Sequence, residues 1–373
     1  MTKAFMPYHP MTSEPLGVQT LGEMVKLLKL ALPIVLSLMA VAGIGIVDTL
    51  MIAPLGTLAL SSAALTAAVQ SIFFAFLYGM VSISSVTIAQ AYGAGDYRAL
   101  SMAIRAGVIA ALIIGGLCAL LMVGALGLMP LLGQPADVLV GIRDYWVLMS
   151  LLSVPFAVFY VIKGLYDAIG MPWMGVGFSL VALGANIALN GPLIHGVGDW
   201  PGLGLVGAGI ASVVSQLAAL AVAAAHLMFS RSLQHHRQSV DTPWSSVIDD
   251  IRQGTSLGFS YALDGSAFAL AGLMMGWFGA HALAAYQIVE SISGVLYMLP
   301  LGMASAVALR IGKADGAEQA ARLRPMGLAA LVMAGGWMLV ATGGLLIVGG
   351  PIAGALSTDP AVVTLTTTLF AVV

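Results

Sequence analysis

The sequence predicts an all-α integral membrane protein with two parallel-repeat six-helix lobes, the second truncated, and three observations carry that reading. Hydrophobic residues fill 60% of the 373 positions and charged residues only 8%, with a mean hydropathy of +1.01. A soluble domain averages about 45–50% apolar and about 25% charged. Apolar runs of membrane-crossing length recur along the chain, where a β-barrel would show short alternating segments. A weak internal repeat links the two halves.

Nine stretches are long enough to cross a hydrocarbon layer of about 30 Å: 28–52, 63–88, 104–128, 145–163, 174–194, 204–229, 256–278, 283–308 and 326–348. A tenth begins near 361, but VVTLTTTLFAVV reaches Val373 still apolar and too short to cross, so the chain is expected to be truncated. The segment before Leu27 is mixed and polar, without the apolar run of a cleavable leader. Lys3, Lys26 and Lys29 precede the first span, Arg98 and Arg105 follow the second, and Lys163 follows the fourth. Arg231, Arg237 and Arg252 follow the sixth, and Arg310, Lys313, Arg322 and Arg324 the eighth; only Arg143 lies on the opposite side. The positive-inside rule therefore predicts a cytoplasmic N-terminus and a multi-pass protein of the inner or plasma membrane.

The longest polar segment, Ser230–Gln253, divides the chain into an N-terminal lobe, 1–235, and a truncated C-terminal lobe, 236–373. LGTLAL at Leu55–Leu60 matches FGAHAL at Phe278–Leu283 across that divide. At the same offset Gly79-Met80 meets Gly302-Met303, Ser82 meets Ser305, and Gly93-Ala94 meets Gly316-Ala317. Six spans separate the copies, so both insert the same way up, as in secondary transporters with parallel repeats.

Few polar side chains fall at membrane depth, and each is a candidate site. Asp48, near the outer end of the first span, costs about 2.5–3.5 kcal/mol on insertion scales and is a functional candidate by default; helix capping is its alternative role. Asn186 and Asn190, four apart on one face of the fifth span, lie at a similar expected depth. The three could form a proton or hard-cation site, or the asparagines could simply bond across helices. Asp264 falls near mid-membrane in the seventh span. Gln70, Gln287 and Glu290 are possible cavity-lining residues, or interhelical bonds in the case of the glutamines. His235, His236 and Asp241 share a polar loop, and no metal site is expected there. Cys118 reads as a small core hydrophobe. No nucleophile–base set, phosphate loop or CxxC is present, so no catalytic residue and no cofactor are expected. A net charge of −2 gives no nucleic-acid footprint.

Five motifs in order resemble the multidrug and toxic compound extrusion (MATE) transporters. GIGIVDTLMIAPLG, Gly43–Gly56, resembles that family's first-helix pattern G-x-x-x-VDT-x-M, and QAYGAGD, Gln90–Asp96, its turn after the second helix. ANIALNGPLIHG, Ala185–Gly196, resembles N-x-x-x-N-x-x-x-I-x-G of the fifth helix. LAAYQI is similar to LAAHQI, with Tyr286 where the family has histidine, and MLPLGMASAVALRIG resembles the run that ends the eighth helix. The resemblance implies two six-helix lobes in a V, exporting cationic or amphipathic compounds in exchange for H⁺ or Na⁺. It places Asp48, Asn186 and Asn190 on the family's N-lobe cation site. Asp264 falls where many Na⁺-coupled members carry a glutamate, one methylene longer. Measured against that pattern, helices eleven and twelve, most of ten, and the tenth-helix acidic partner of Asp264 are expected to be missing from this chain.

The expected protein is thus a monomeric, cation-coupled multidrug antiporter working by alternating access in the lipid bilayer. The alternatives are a lipid-linked oligosaccharide flippase of related fold, which should carry arginines inside its cavity, and a membrane-embedded enzyme. No arginine lies mid-span.

Overall fold

Within hydrocarbon every backbone N–H and C=O must be satisfied by the chain itself, and a helix does this residue by residue. A computed structural model describes residues 16–132, 136–236, 238–357 and 359–371, and those residues are almost wholly helical. Before the polar linker run α1 (Leu16–Ile52), α2 (Thr57–Gly93), α3 (Tyr97–Leu126), α4 (Ala136–Leu151), α5 (Ser153–Ala168), α6 (Pro172–Asn190) and α7 (Leu205–Phe229). After it come α8 (Trp244–Trp277), α9 (Ala280–Gly316), α10 (Leu323–Leu356) and α11 (Pro360–Phe370).

Eight helices among the described residues are long and apolar enough to cross a membrane, against the nine full spans expected. The difference lies at α8, whose 34 residues include Asp249, Asp250, Arg252 and Asp264 and which is not among the eight. The expected fourth span is interrupted, because α4 ends at Leu151 and α5 begins at Ser153. Pro155 has no N–H to continue the helix there. Gly115 of α3 fits against the break, where a Cβ would stand 3.1 Å from the Cα of Val154. The fifth span ends in a π-turn, Gly191–His195, around Pro192. Cys118 is buried, as a core hydrophobe should be.

The repeat is visible in backbone geometry. Gly56 and Gly279, 223 positions apart, both hold positive φ, 100° and 103°, a conformation open to glycine without strain. Each leads into a helix of 37 residues, α2 and α9, ending on Gly93 and Gly316 at the same offset.

These equivalent helices also meet equivalently. A Cβ on Gly93 would collide with the carbonyl oxygen of Lys313, and one on Gly316 with that of Gln90. Gln90 and Lys313 are themselves 223 apart, so one contact is made twice with the partners exchanged. Gly79 lies against Gly258, where a Cβ would come 2.9 Å from its Cα, and Gly302 lies against Val35, the residue equivalent to Gly258. At Gly312 a Cβ would touch Ala89, its own equivalent, at 3.5 Å. Such reciprocity is the signature of a two-fold, isologous interface, here within one chain. Small residues let the backbones approach, as membrane helices require where burial from water supplies no driving force.

Polar bonds collect at the same seam. Tyr78 and Ser305 hydroxyls stand 3.0 Å apart, Ser84 donates to Asp250 at 3.0 Å, and Gln90 donates to Asp315 at 3.2 Å. Glu23 of α1 accepts from Arg310 of α9 and, at 2.8 Å, from Arg322. The seam lies toward the end of the bundle that carries most of the Lys and Arg, referred to below as the basic face.

Gly93→Ala and Gly316→Ala should each destabilise the purified protein by about 1–3 kcal/mol, the usual cost of overpacking. Gly116→Ala, with nothing within 4 Å of the new methyl, should not. Thermal unfolding of the detergent-solubilised variants checks this, and equal melting temperatures would refute the tight seam.

Candidate functional site

Three helices deliver the polar cluster around Asp48. Asp48 sits four residues before the end of α1, Asn190 is the last residue of α6, and Asn186 lies one turn earlier on the same face. After the π-turn the chain folds back on itself, with Leu203 N–H donating to Leu193 C=O at 2.8 Å and Gly204 N–H to Ile194 C=O at 3.1 Å. This fixes where α7 begins. Gly207 then lets α7 press on the π-turn, since a Cβ there would collide with the Leu193 carbonyl. Two turns into α7 this register presents Ser212 to Asp48.

Asp48 is 8% exposed, Ser212 3%, and both asparagines are fully buried. Asn186 Nδ2 and Asn190 Nδ2 donate to Asp48 Oδ1 at 3.0 and 2.7 Å, and Ser212 Oγ donates to Oδ2 at 2.9 Å. Asn190 Nδ2 also donates to Asn186 Oδ1 at 3.1 Å. A carboxylate with three donors is well satisfied as an anion, which lets a charge survive in hydrocarbon. One atom is left over: Asn190 Oδ1 is buried and has no hydrogen-bond partner among the described residues. The cluster thus gathers two carboxylate oxygens, two amide oxygens and a hydroxyl from three helices, all hard donors suited to a proton or a small hard cation.

Ser212 was not singled out from the sequence, though a signal existed. Ser212, Ser215 and Gln216 lie at i, i+3 and i+4 on α7 and are all buried. A second missed feature is the fate of Lys163. Counted among the loop residues that set orientation, it is instead inside α5, 4% exposed, with its Nζ 2.7 Å from Asp167 Oδ2. Gly175 of α6 makes room for this buried pair, since a Cβ there would lie 3.3 Å from Asp167 Oδ1.

The other sequence candidates lie elsewhere. Gln70 is buried and donates to the Met149 carbonyl at 3.2 Å, tying α2 to α4. Asp264 is exposed on α8 and accepts from Tyr297 of α9 at 3.3 Å. Gln287 donates to Glu290 at 3.4 Å along α9. None of these four shares a hydrogen bond with the Asp48 cluster among the described residues. His236, in the linker, stacks on Tyr92, and burial pushes its imidazole pKa down. Among the described residues no group of three His, Cys, Asp or Glu is placed to hold a metal.

Ser212→Ala would strip Asp48 Oδ2 of its donor and should cost about 1–3 kcal/mol of stability. Ser212→Thr, which keeps the hydroxyl, should cost less. Thermal unfolding at neutral pH checks both, and an unchanged alanine variant would show that the bond contributes nothing.

The MatE family model matches residues 33–191 and 257–373. The probable multidrug resistance protein NorM of Bradyrhizobium diazoefficiens is 33% identical over 325 residues, covering 83% of this chain and 67% of its own length. That of Neisseria meningitidis serogroup B is 30% identical over 356 residues, covering 94% and 77%. Among solved structures, the eukaryotic MATE transporter AtDTX14 superposes with a TM-score of 0.82 at 21% identity, over 95% of this chain and 79% of its own. The bent form of Vibrio cholerae VcmN gives 0.83 at 20%, over 95% and 80%. A family model covering both halves, a relative above 30% identity and the helical architecture agree: this chain belongs to the MATE family of membrane transporters.

Proposed function

We propose that the chain is a cation-coupled multidrug antiporter, exporting cationic or amphipathic small molecules in exchange for H⁺ or Na⁺, with the Asp48 cluster as the cation site. The observation that carries this reading is the buried Asp48 carboxylate, held by donors from α6 and α7 and within reach of an amide oxygen that has no partner among the described residues. The names of the NorM relatives supply the multidrug part of the reading.

The hydrogen-bond geometry gives a route from ion binding to conformational change. In the arrangement described, Asn186, Asn190 and Ser212 all point donors at Asp48. A proton on Asp48 turns one oxygen into a donor, which then faces a donor. The Ser212 hydroxyl can rotate to accept, and an amide that turns end for end presents its oxygen instead. A bound Na⁺ requires the same reversal, because it needs oxygens where the amide nitrogens stand. Either ion therefore rewires the bonds joining α1 to α6 and α7. An ion that stabilises one arrangement of these helices over the other shifts their equilibrium, which is all that coupling requires. The charge asymmetry puts the basic face in the cytoplasm.

Asp48→Asn keeps the side-chain size and removes the charge. In cells lacking other exporters, it should reduce resistance to cationic dyes to the level of cells without the gene, while membrane insertion stays intact. Export at the wild-type rate would overturn the assignment. Dye efflux from vesicles at a fixed pH gradient, with and without Na⁺, decides the ion: stimulation by Na⁺ alone points to Na⁺, and indifference to it points to H⁺.

A further inference from the structure

A groove of about 440 Å³ lies on the outside of the bundle near the basic face, between α3 and the linker that leads into α8. Its floor is Ile104, Val108 and Ile109 of α3, and its rim is Arg105 together with Val240, Asp241 and Thr242 of the linker. The floor continues along α3 into Leu112 and Ile113, which are 48% and 43% exposed and face away from the protein. Together these residues form one apolar stripe at helical spacing that runs from the rim toward the middle of the membrane.

Rim and floor differ in chemistry. Arg105 spends one N–H on the Val240 carbonyl at 2.9 Å, a bond that props the linker over the helix, and a guanidinium carries five such donors. Asp241, which is exposed, supplies the opposite charge beside it. Thr242 Oγ1 is buried yet has no hydrogen-bond partner among the described residues. Trp244, the next residue but one, is 66% exposed, and Tyr97 at the start of α3 is 42% exposed. Tryptophan and tyrosine concentrate at the level of lipid headgroups, which sets the depth of the rim.

The geometry points to a specific phospholipid site, occupied by a lipid whose headgroup carries both a phosphate and a primary ammonium, that is, an ethanolamine phospholipid. Arg105 takes the phosphate through N–H···O bonds, Asp241 takes the ammonium, and the Thr242 hydroxyl reaches the ester oxygens between them. One acyl chain lies on Ile104, Val108 and Ile109. A glycerol headgroup brings the same phosphate but no cation to offset Asp241, and a choline headgroup offers no N–H for the aspartate to accept. The site is independent of the Asp48 cluster and of any transport reading.

Native mass spectrometry of the purified full chain, delipidated and then mixed with equimolar ethanolamine, glycerol and choline phospholipids of matched acyl chains, tests the proposal. The wild type should retain one ethanolamine lipid in preference to the other two. Asp241→Asn should lower that preference about two- to fivefold, the range expected of a solvent-accessible ion pair, while leaving the unfolding temperature unchanged. Val108→Trp, which fills the floor without touching the rim, should abolish the retained lipid. Equal retention of all three lipids by the wild type, a preference for the anionic lipid, or an undiminished ethanolamine preference in Asp241→Asn would each overturn the assignment.

Discussion

Close backbone contact between α2 and α9 is the constraint from which the rest of the architecture follows. Gly93 meets the Lys313 carbonyl and Gly316 meets that of Gln90, and neither approach leaves room for a Cβ. In water such a seam would be helped by burial of apolar side chains. In lipid that help is missing, because the acyl chains are as apolar as leucine, and only close packing and hydrogen bonds hold helices together. The seam uses both. Glycines bring the helices together, and Tyr78–Ser305, Ser84–Asp250 and Gln90–Asp315 pin them.

Because the seam joins equivalent segments, it behaves like the interface of a dimer folded into one chain. Its two-fold passes near Ala89 and Gly312, a pair that are equivalents of each other and also touch. The Glu23 bridge to Arg310 and Arg322 adds a charged clasp at the basic face. Away from that face α8 turns its surface outward, and Asp264, Phe268 and Met274 are all exposed.

The Asp48 cluster stands apart from this seam, inside the first seven helices. Its placement depends on local backbone events: the π-turn at Gly191–His195, the fold-back bonds to Leu193 and Ile194, and the glycine at 207. Each sets the register of α7 against α6, and a shift of one residue would rotate Ser212 off Asp48 by about 100°. Polar groups at membrane depth are costly unless satisfied, so this register is held firmly.

By itself the sequence determined the class, the run of helices, the repeat and three of the four polar side chains of the cluster. Hydropathy reports transfer into lipid directly, and an aspartate or a pair of asparagines four apart stands out against apolar surroundings. It could not supply what depends on how helices face one another. Ser212 looked like any small residue of a membrane helix until the α6–α7 turn fixed its direction. Lys163 looked like a loop cation because its counter-ion, Asp167, sits one turn away and burial of both is a matter of packing. Periodicity along a chain encodes which residues avoid water; only the tertiary structure decides which buried groups meet, because that depends on register and rotation between segments far apart in sequence.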